Sequence, residues 1–371
     1  MVLLGVRNLF QSKARLLMST GGIALALLLV LALDAIFAGA EDQLTTYMKR
    51  AGADVWVSQP GVRNLHMASS TLPASVVDQV SGVPGVAAVT PILYATMFVD
   101  TRHSQHIVYL IGLPPKAEMG IPWQLAAGRA QPGTGEVVID QSVANASGIG
   151  LGDSVKIVGS PLRVSGLAVG TTNIVNSIAF ISAQDFQRLR PSPATVSFVL
   201  VRVAPGRSAA SVAGEIERQV GGVTAQTSPA LAAQEKKVVG DMATDVISIM
   251  NLTGLLIGLA VMALTIYTAT LSRRAEYGVL KAIGARARRL YATVLVQAGI
   301  SIALAFVVSV ALTLALSITV PLIKPGLALD LTASSLAKVA LMALGIGSVA
   351  AVLPIRQIAG LDPASVFSRR M

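Results

Sequence analysis

Cysteine is absent from all 371 residues. No disulfide framework, thiolate nucleophile or cysteine metal site can therefore be built. Histidine is scarce as well. His66, His103 and His106 are the only three, too few for a histidine-rich metal centre. Charged residues make up 13% of the chain and hydrophobic ones 53%, whereas a soluble domain carries about 25% charged residues. Long stretches need not face water. Neither Gly-x-Ser-x-Gly nor His-Glu-x-x-His occurs, which argues against the common hydrolases. No Gly-Lys dipeptide occurs either. A P-loop is thereby excluded, because its lysine and backbone amides must hold the phosphates. The glycine-rich Gly148-Ile149-Gly150-Leu151-Gly152-Asp153 lacks that lysine and reads as a turn between a helix and a strand at Val155.

Four apolar runs stand out. They cover Leu16 to about Ala40, Val246 to Ser272, Leu290 to Ile323 and Leu331 to Ile355. A bilayer core of about 30 Å needs roughly 20 helical residues, so each is long enough to span it. The third exceeds that need and is expected to tilt or to extend beyond the lipid. The basic start, the first apolar run and Ala38-Gly39-Ala40 also fit a cleavable signal peptide. Signal cores are about 7–15 residues, and this run is longer, which favours an uncleaved span. Cleavage would leave the remaining topology unchanged.

The location of charge sets the orientation. Arg7, Lys13 and Arg15 precede the first run. Arg273, Arg274, Lys281, Arg286, Arg288 and Arg289 face only Glu276 between the second and third. Arg356, Arg369 and Arg370 face only Asp362 at the end. The surplus of these three stretches equals the whole formal net charge of +10. Residues 41–245 balance to zero, so no basic patch marks a nucleic-acid surface there. Positive flanks stay in the cytoplasm. Both termini and the 272–290 loop are thus expected inside and residues 41–245 outside, in a multi-pass membrane chain.

The outer part alternates short β-type runs with helical patches. Ala53 to Ser58, Ile92 to Val99, Ile107 to Ile111, Glu136 to Ile139, Val155 to Val158, Leu162 to Val169 and Thr195 to Val203 read as strands. Pro73 to Val80 reads as a helix capped at Thr71 or Leu72, Ala183 to Leu189 as one capped by Ser182, and Ala209 to Val220 as a third. Glu41 to Arg50 and Ala230 to Asp245 can prolong the adjoining spans as stalks. The expected fold is a membrane all-α domain of four transmembrane helices plus an α+β extracytoplasmic domain inserted between the first and second. The divisions are 1–48 (lead-in helix, first span, stalk), 49–230 (outer domain) and 231–371 (stalk, three spans, and a cytoplasmic loop at about 272–290).

That loop reads Arg273-Arg274-Ala275-Glu276-Tyr277-Gly278-Val279-Leu280-Lys281-Ala282-Ile283-Gly284-Ala285. Val279 and Ile283 stand four apart beside Leu280, giving a short helix with a shallow apolar face. Gly284 is a natural C-cap. A basic amphipathic loop of this kind can rest on anionic lipid. It can also dock into a cytoplasmic partner.

The loop resembles the coupling segment of FtsX/MacB-type ABC permeases, Glu-aliphatic-Gly-aliphatic-x-(Lys/Arg)-Ala-aliphatic-Gly-Ala. Glu276, Gly278, Val279, Lys281, Ala282, Ile283, Gly284 and Ala285 match it, with Tyr277 in the first aliphatic place. Val6-Arg7-Asn8-Leu9 and Leu361-Asp362-Pro363-Ala364 resemble the family's ends. Asp54-Val55-Trp56-Val57, and Gly128-Arg129 followed by Glu136-Val137-Val138-Ile139, resemble its outer domain. The resemblance implies a permease subunit without enzymatic activity of its own, working as a homodimer with a cytoplasmic ABC ATPase dimer. No cofactor is expected on this chain; ATP and magnesium belong to the ATPase. Arg274, Glu276, Tyr277, Gly278, Val279, Leu280, Lys281, Ala282, Ile283 and Gly284 would form the ATPase-coupling site. Such permeases move an outer domain by transmitting motion through their stalks, and an amphipathic or hydrophobic cargo is expected. The alternative is a signalling scaffold that activates an outer partner such as a cell-wall hydrolase. Partners beyond the ATPase would be the bilayer, a second copy and an envelope or periplasmic protein.

Other residues invite weaker readings. Gly254 and Gly258 form Gly-x-x-x-Gly, a spacing that allows close helix approach and makes them dimer-contact candidates. Ala343, Gly347 and Ala351 form a similar row, expected to pack within the monomer. Asp34 lies near the outer end of its span and is read as interfacial. Lys338 is expected to snorkel outward. His103 and His106 read as a solvated turn rather than a haem or metal site.

Overall fold

The computed structural model describes residues 13–66, 68–101, 104–173, 176–191, 194–272, 279, 287–324 and 326–352. Two compact units result. One holds residues 1–38, 243–323 and 329–371, and the other 39–242 and 324–328.

The first unit is helical. Four helices are long and apolar enough to cross a membrane, at Thr20–Arg50, Thr244–Thr268, Leu290–Ile323 and Ala333–Ala350. They belong to α1 (Lys13–Arg50), α6 (Ser228–Ser272), α7 (Ala287–Ile323) and α8 (Ala333–Ala350), with α2 to α5 lying in the other unit. Their shared core joins Ile23, Leu27 and Leu31 of α1 to Met262 and Ile266, Val294 and Ile302, and Val339 and Ile346. Leu252, Leu264, Val307, Ile318, Leu341 and Leu344 are exposed instead. Because lipid tails are as apolar as leucine, such helices associate through close packing of small residues rather than by escaping water. The glycines carry that packing. A Cβ on Gly254 would lie 2.3 Å from Val30 Cγ2, one on Gly258 2.8 Å from Ile346 Cδ1, and one on Gly22 2.7 Å from Val261 Cγ1. Gly347 meets Ile302 likewise, with Ala343 and Ala351 buried beside it, so that row packs inside the chain as expected.

The second unit is α+β. Its main sheet has ten strands in the order β12-β1-β11-β3-β4-β9-β6-β8-β5, with β7 pairing both β3 and β8. The strands are β1 (Val55–Ser58), β3 (Val86–Asp100), β4 (Gln105–Leu113), β5 (Leu125–Gly128), β6 (Glu136–Asp140), β7 (Ser154–Ile157), β8 (Ser160–Ala168), β9 (Ser177–Ser182), β11 (Phe198–Val203) and β12 (Thr224–Thr227). β4–β9 and β6–β8 pair in parallel, the others antiparallel. The 15-residue β3 joins two halves of the sheet. Its first part pairs with β11, and from Leu93 onward it pairs with β4.

Period-2 alternation explains the layers. Val55 and Val57 of β1, with Val199 and Val201 of β11, pack under α2 (Ser75–Ser81) and α5 (Ala209–Val220) through Val76, Val80, Val212 and Ile216. Trp56, Phe198 and Leu200 face the other way, onto Tyr47 and Met48 of α1 and Leu231 of α6. A third cluster gathers Leu93, Leu110, Val137, Ile181 and Phe186. Full burial of one such side chain contributes about 1.5–3 kcal/mol.

Some expectations need correction. The helix at 73–80 starts at Ser75 with Ala74 before it and no side-chain cap. Thr71 and Leu72 do not cap it, because β2 (Leu72–Pro73) pairs with β10 (Thr195–Val196) in a separate two-stranded sheet. The single strand at 195–203 is broken at Ser197, whose Oγ accepts from the Tyr94 amide at 2.9 Å. Val158 leaves β7 with φ +50°. Ser182 does cap α4 (Ala183–Leu189), accepting from Asp185 N at 3.0 Å. The glycine-rich turn follows α3 (Gln141–Ser147), with Gly148 as a left-handed C-cap.

Candidate functional site

Of the residues expected to couple to an ATPase, Val279 alone lies within the described residues, where it is helical and exposed. Arg274, Glu276, Tyr277, Gly278, Leu280, Lys281, Ala282, Ile283 and Gly284 lie outside them. So do His103 and the motifs at Val6–Leu9 and Leu361–Ala364.

What is described in detail is how the outer domain grips its two stalk helices. At the foot of α6, Ser228 N donates to Asp54 O at 2.9 Å. Its Oγ donates to Ala53 O and accepts from Trp56 Nε1 at 3.1 Å. The Asp54 carboxylate accepts from Val203 N at 2.8 Å, which fixes the β1–β11 edge. On α1, Tyr47 OH donates to Gly120 O at 3.0 Å while Gly120 N donates to Ala51 O at 2.7 Å. Gly120 has φ +81°, and a Cβ there would press on Leu200. The Tyr47, Trp56 and Phe198 rings meet edge-on, at 5.8 Å and 6.0 Å.

Two turns along α6 from Ser228, Glu235 is buried on the same face as Leu231 and Ala232. One carboxylate oxygen accepts from Leu65 N at 2.8 Å, and the other meets His66 Nδ1 at 2.8 Å. The His66 ring packs on Tyr109 at 4.5 Å, and Tyr109 stacks on Tyr94 at 5.7 Å. Burial pushes the Tyr94 phenol up, with Tyr109 and the Glu235 charge adding to it. Burial also raises Tyr109, with Glu235 adding and a hydrogen bond from Asn176 opposing.

The Gly128-Arg129…Glu136 pattern has a structural cause. Gly128 has φ +78°, and a Cβ there would lie 2.3 Å from Ser165 O. Its neighbour Arg129 reaches Glu136 at 2.5 Å, and Arg163 reaches it at 3.1 Å. Burial alone would raise the Glu136 carboxyl. The Gly133 amide, Arg163 and Arg129 outweigh that and hold it below the usual carboxylate range.

In the helical unit, Asp34 and Lys338 are partners, with Nζ 2.7 Å from Oδ2. The aspartate side chain is 9% exposed and the lysine 40%. The interfacial and snorkelling readings treated the two charges separately, whereas each neutralises the other. Gly254 and Gly258 turn their bare faces to Val30, Ala26 and Ile346 of the same chain. His106 Nε2 is met by Ser104 Oγ at 2.7 Å and Ser147 Oγ at 3.0 Å. Among the described residues no group of three His, Asp or Glu could hold a metal ion.

Glu235 and His66 escaped the sequence reading. The faint signal was an acid at the i, i+4 spacing from Leu231 on an otherwise polar stalk, with no apolar run to draw attention to it.

The family model described as the MacB-like periplasmic core domain matches residues 16–219, more than half of the chain, and that of the FtsX-like permease C-terminal matches residues 248–363. The chain belongs to the MacB/FtsX family of ABC transporter permeases. An uncharacterized ABC transporter permease of Mycobacterium tuberculosis is 24% identical to it over 371 residues, covering 99% of each chain. A second from that organism is 25% identical over 373 residues, again 99% of each. Among solved structures, the extracellular domain of the noncanonic ABC-type transporter YknZ from Gram-positive bacteria aligns at 15% identity with a TM-score of 0.38. That alignment covers 47% of this chain and 99% of that one. The periplasmic region of MacB from Actinobacillus actinomycetemcomitans aligns at 15% and 0.39, covering 50% and 94%. The permease is thus a multi-pass membrane protein by family and by its four apolar helices, and an ABC transporter permease implies a partner ATPase.

Proposed function

We propose that this permease converts ATP hydrolysis by a separate cytoplasmic ATPase dimer into movement of its outer domain, and so exports or extracts an amphipathic or hydrophobic molecule. Two copies work together, and ATP and magnesium bind the ATPase rather than this chain. The loop at 272–290 receives the ATPase, with Glu276, Gly278, Val279 and Ile283 forming its apolar and polar contacts. Both termini are cytoplasmic in the bacterial inner membrane.

The observation that carries this reading is the continuity of two helices. α1 (Lys13–Arg50) and α6 (Ser228–Ser272) each combine a membrane-length apolar stretch and a polar stalk without a break. A backbone hydrogen-bonded at every turn transmits displacement along its axis. Its outer end must then be gripped, which Ser228, Trp56, Tyr47 and Glu235 do. The missing P-loop supports an outside energy source.

Reconstitution of the full-length permease with its ATPase in nanodiscs tests the reading. Gly278→Glu or Ile283→Asp should weaken ATPase association about ten-fold, as expected for a central interface residue. The tryptophan-reported melting of the outer domain should stay in place. If association and turnover survive both changes, the coupling site is elsewhere. Stimulation of ATP hydrolysis by amphipathic cargo supports transport. Its absence, with a protein retained on residues 50–230, favours the scaffold.

A further inference from the structure

A cleft of about 340 Å³ opens in the outer domain, between His66, the segment Ala68 to Thr71, the middle of β3 and the end of α4. Its size falls at the lower end of the range for small-molecule sites, roughly 300–1,000 Å³. Its lining is unusual in two ways. Hydroxyl side chains recur around it, from Ser69, Ser70, Thr71, Thr96, Thr195 and Ser197. Among the described residues, the one formally charged lining residue is Arg190, and no carboxylate lines the cleft.

The inner wall is built rather than incidental. His66 lines the cleft, yet its side chain is only 5% exposed. Glu235, as a carboxylate, can only accept, so His66 Nδ1 carries the proton toward it. The other ring nitrogen, Nε2, has no protein partner among the described residues. Leu65 N donates to the other Glu235 oxygen, which prevents the ring from drifting with its loop. Across the cleft, the Arg190 guanidinium has no ion pair or hydrogen bond among the described residues, nor do the Thr96 hydroxyl and the Gln187 amide.

We propose that this cleft binds a small hydroxylated organic anion. Serine and threonine hydroxyls both donate and accept, which suits a ligand carrying several hydroxyls. His66 Nε2, held in place through Nδ1, would exchange a hydrogen bond with one of them. A lone Arg190 with no acid beside it selects for a carboxylate or phosphate, which a guanidinium can engage bidentately. Tyr94 and Phe186 supply the apolar floor against which a ring or carbon chain lies. The inference stands apart from ATP coupling, since it requires only the folded outer domain.

Calorimetric titration of the full-length permease in nanodiscs, without ATPase, tests it. The probes are glucose 6-phosphate, gluconate and glycerol 3-phosphate, with glucose and inorganic phosphate as partial ligands. At least one of the three should bind saturably and more tightly than either partial ligand. Arg190→Ala should weaken that binding about ten-fold, the usual scale of a lost charge-assisted contact. Thr96→Trp, which fills the cleft from an exposed position, should abolish it while melting is unchanged. Failure of all three probes to saturate at millimolar concentration overturns the proposal. So does phosphate binding as tightly as the organic anions, or indifference to both substitutions.

Discussion

Glu235 shows how much one side chain can hold. It is buried on a stalk helix and satisfies both Leu65 N and His66 Nδ1. Glu235→Ala leaves both groups without their partner inside the protein, and each orphan costs about 1–3 kcal/mol. Glu235→Gln keeps one acceptor and should cost less. The chain has only Trp56 and Trp123, both in the outer unit, so intrinsic fluorescence reports its unfolding selectively. The alanine variant should melt well below the glutamine variant, and equal melting of both with the native protein would show that the pair holds nothing. Glu136 offers a second test, by pH. Its folded carboxyl is held below the usual range. Its stability contribution is therefore complete above the unfolded value of about 4.3 and fades as pH falls through the lower folded value. Arg129 and Arg163 are largely exposed, so solvent screening keeps that contribution below about 1 kcal/mol. Glu136→Gln should flatten the acid limb of the fluorescence-monitored stability curve below about pH 4. An unchanged acid limb would contradict the assignment.

At the scale of elements, close approach decides what a glycine does. Gly254 and Gly21 lie in apolar helices, yet only the first is crowded. A Cβ on Gly254 would overlap Val30, a β-branched side chain with little freedom to move, whereas one on Gly21 meets nothing within 4 Å. Gly254→Ala should destabilise the helical unit by about 1–3 kcal/mol, the cost of overpacking. Gly21→Ala should be neutral or gain up to about 1 kcal/mol of helix propensity. Unfolding followed by far-ultraviolet circular dichroism in detergent separates the two, and equal effects would refute the packing. The same scale explains what the sequence revealed of the fold. The spans were legible because length and apolarity are local properties. So were Ser182 as a cap and the β1 alternation. The strands at Leu125–Gly128, Ser177–Ser182 and Thr224–Thr227 were not, since Ser177–Ser182 owes its place to pairing with β4 and β6, far off in sequence. Leu72 and Pro73 read as the cap and first residue of a helix because their strand partner, Thr195–Val196, lies more than a hundred residues away. For the same reason Asp34 and Lys338 read as two solitary charges, 304 residues apart.

For the whole molecule, the family signature was legible chiefly in the order of weak motifs, and the ledger of charge predicts an orientation. The balance of residues 41–245 against three cationic flanks makes a topology claim that the bilayer enforces, since Lys and Arg near short loops resist translocation. The absence of cysteine turns that claim into a clean experiment, because any introduced thiol is the only one present. Asp153 is partly exposed at the end of the glycine-rich turn of the outer domain, where its carboxylate accepts from Gly150 N at 2.9 Å. Lys281 lies in the proposed coupling loop. Asp153→Cys should react with a membrane-impermeant maleimide on intact cells, and Lys281→Cys should react only after the membrane is opened. Reaction of both in intact cells would put the coupling loop on the wrong side for any cytoplasmic ATPase. Protection of both would put the outer domain inside. Either result would remove the electrostatic basis of the proposed mechanism, whatever the fold of each unit.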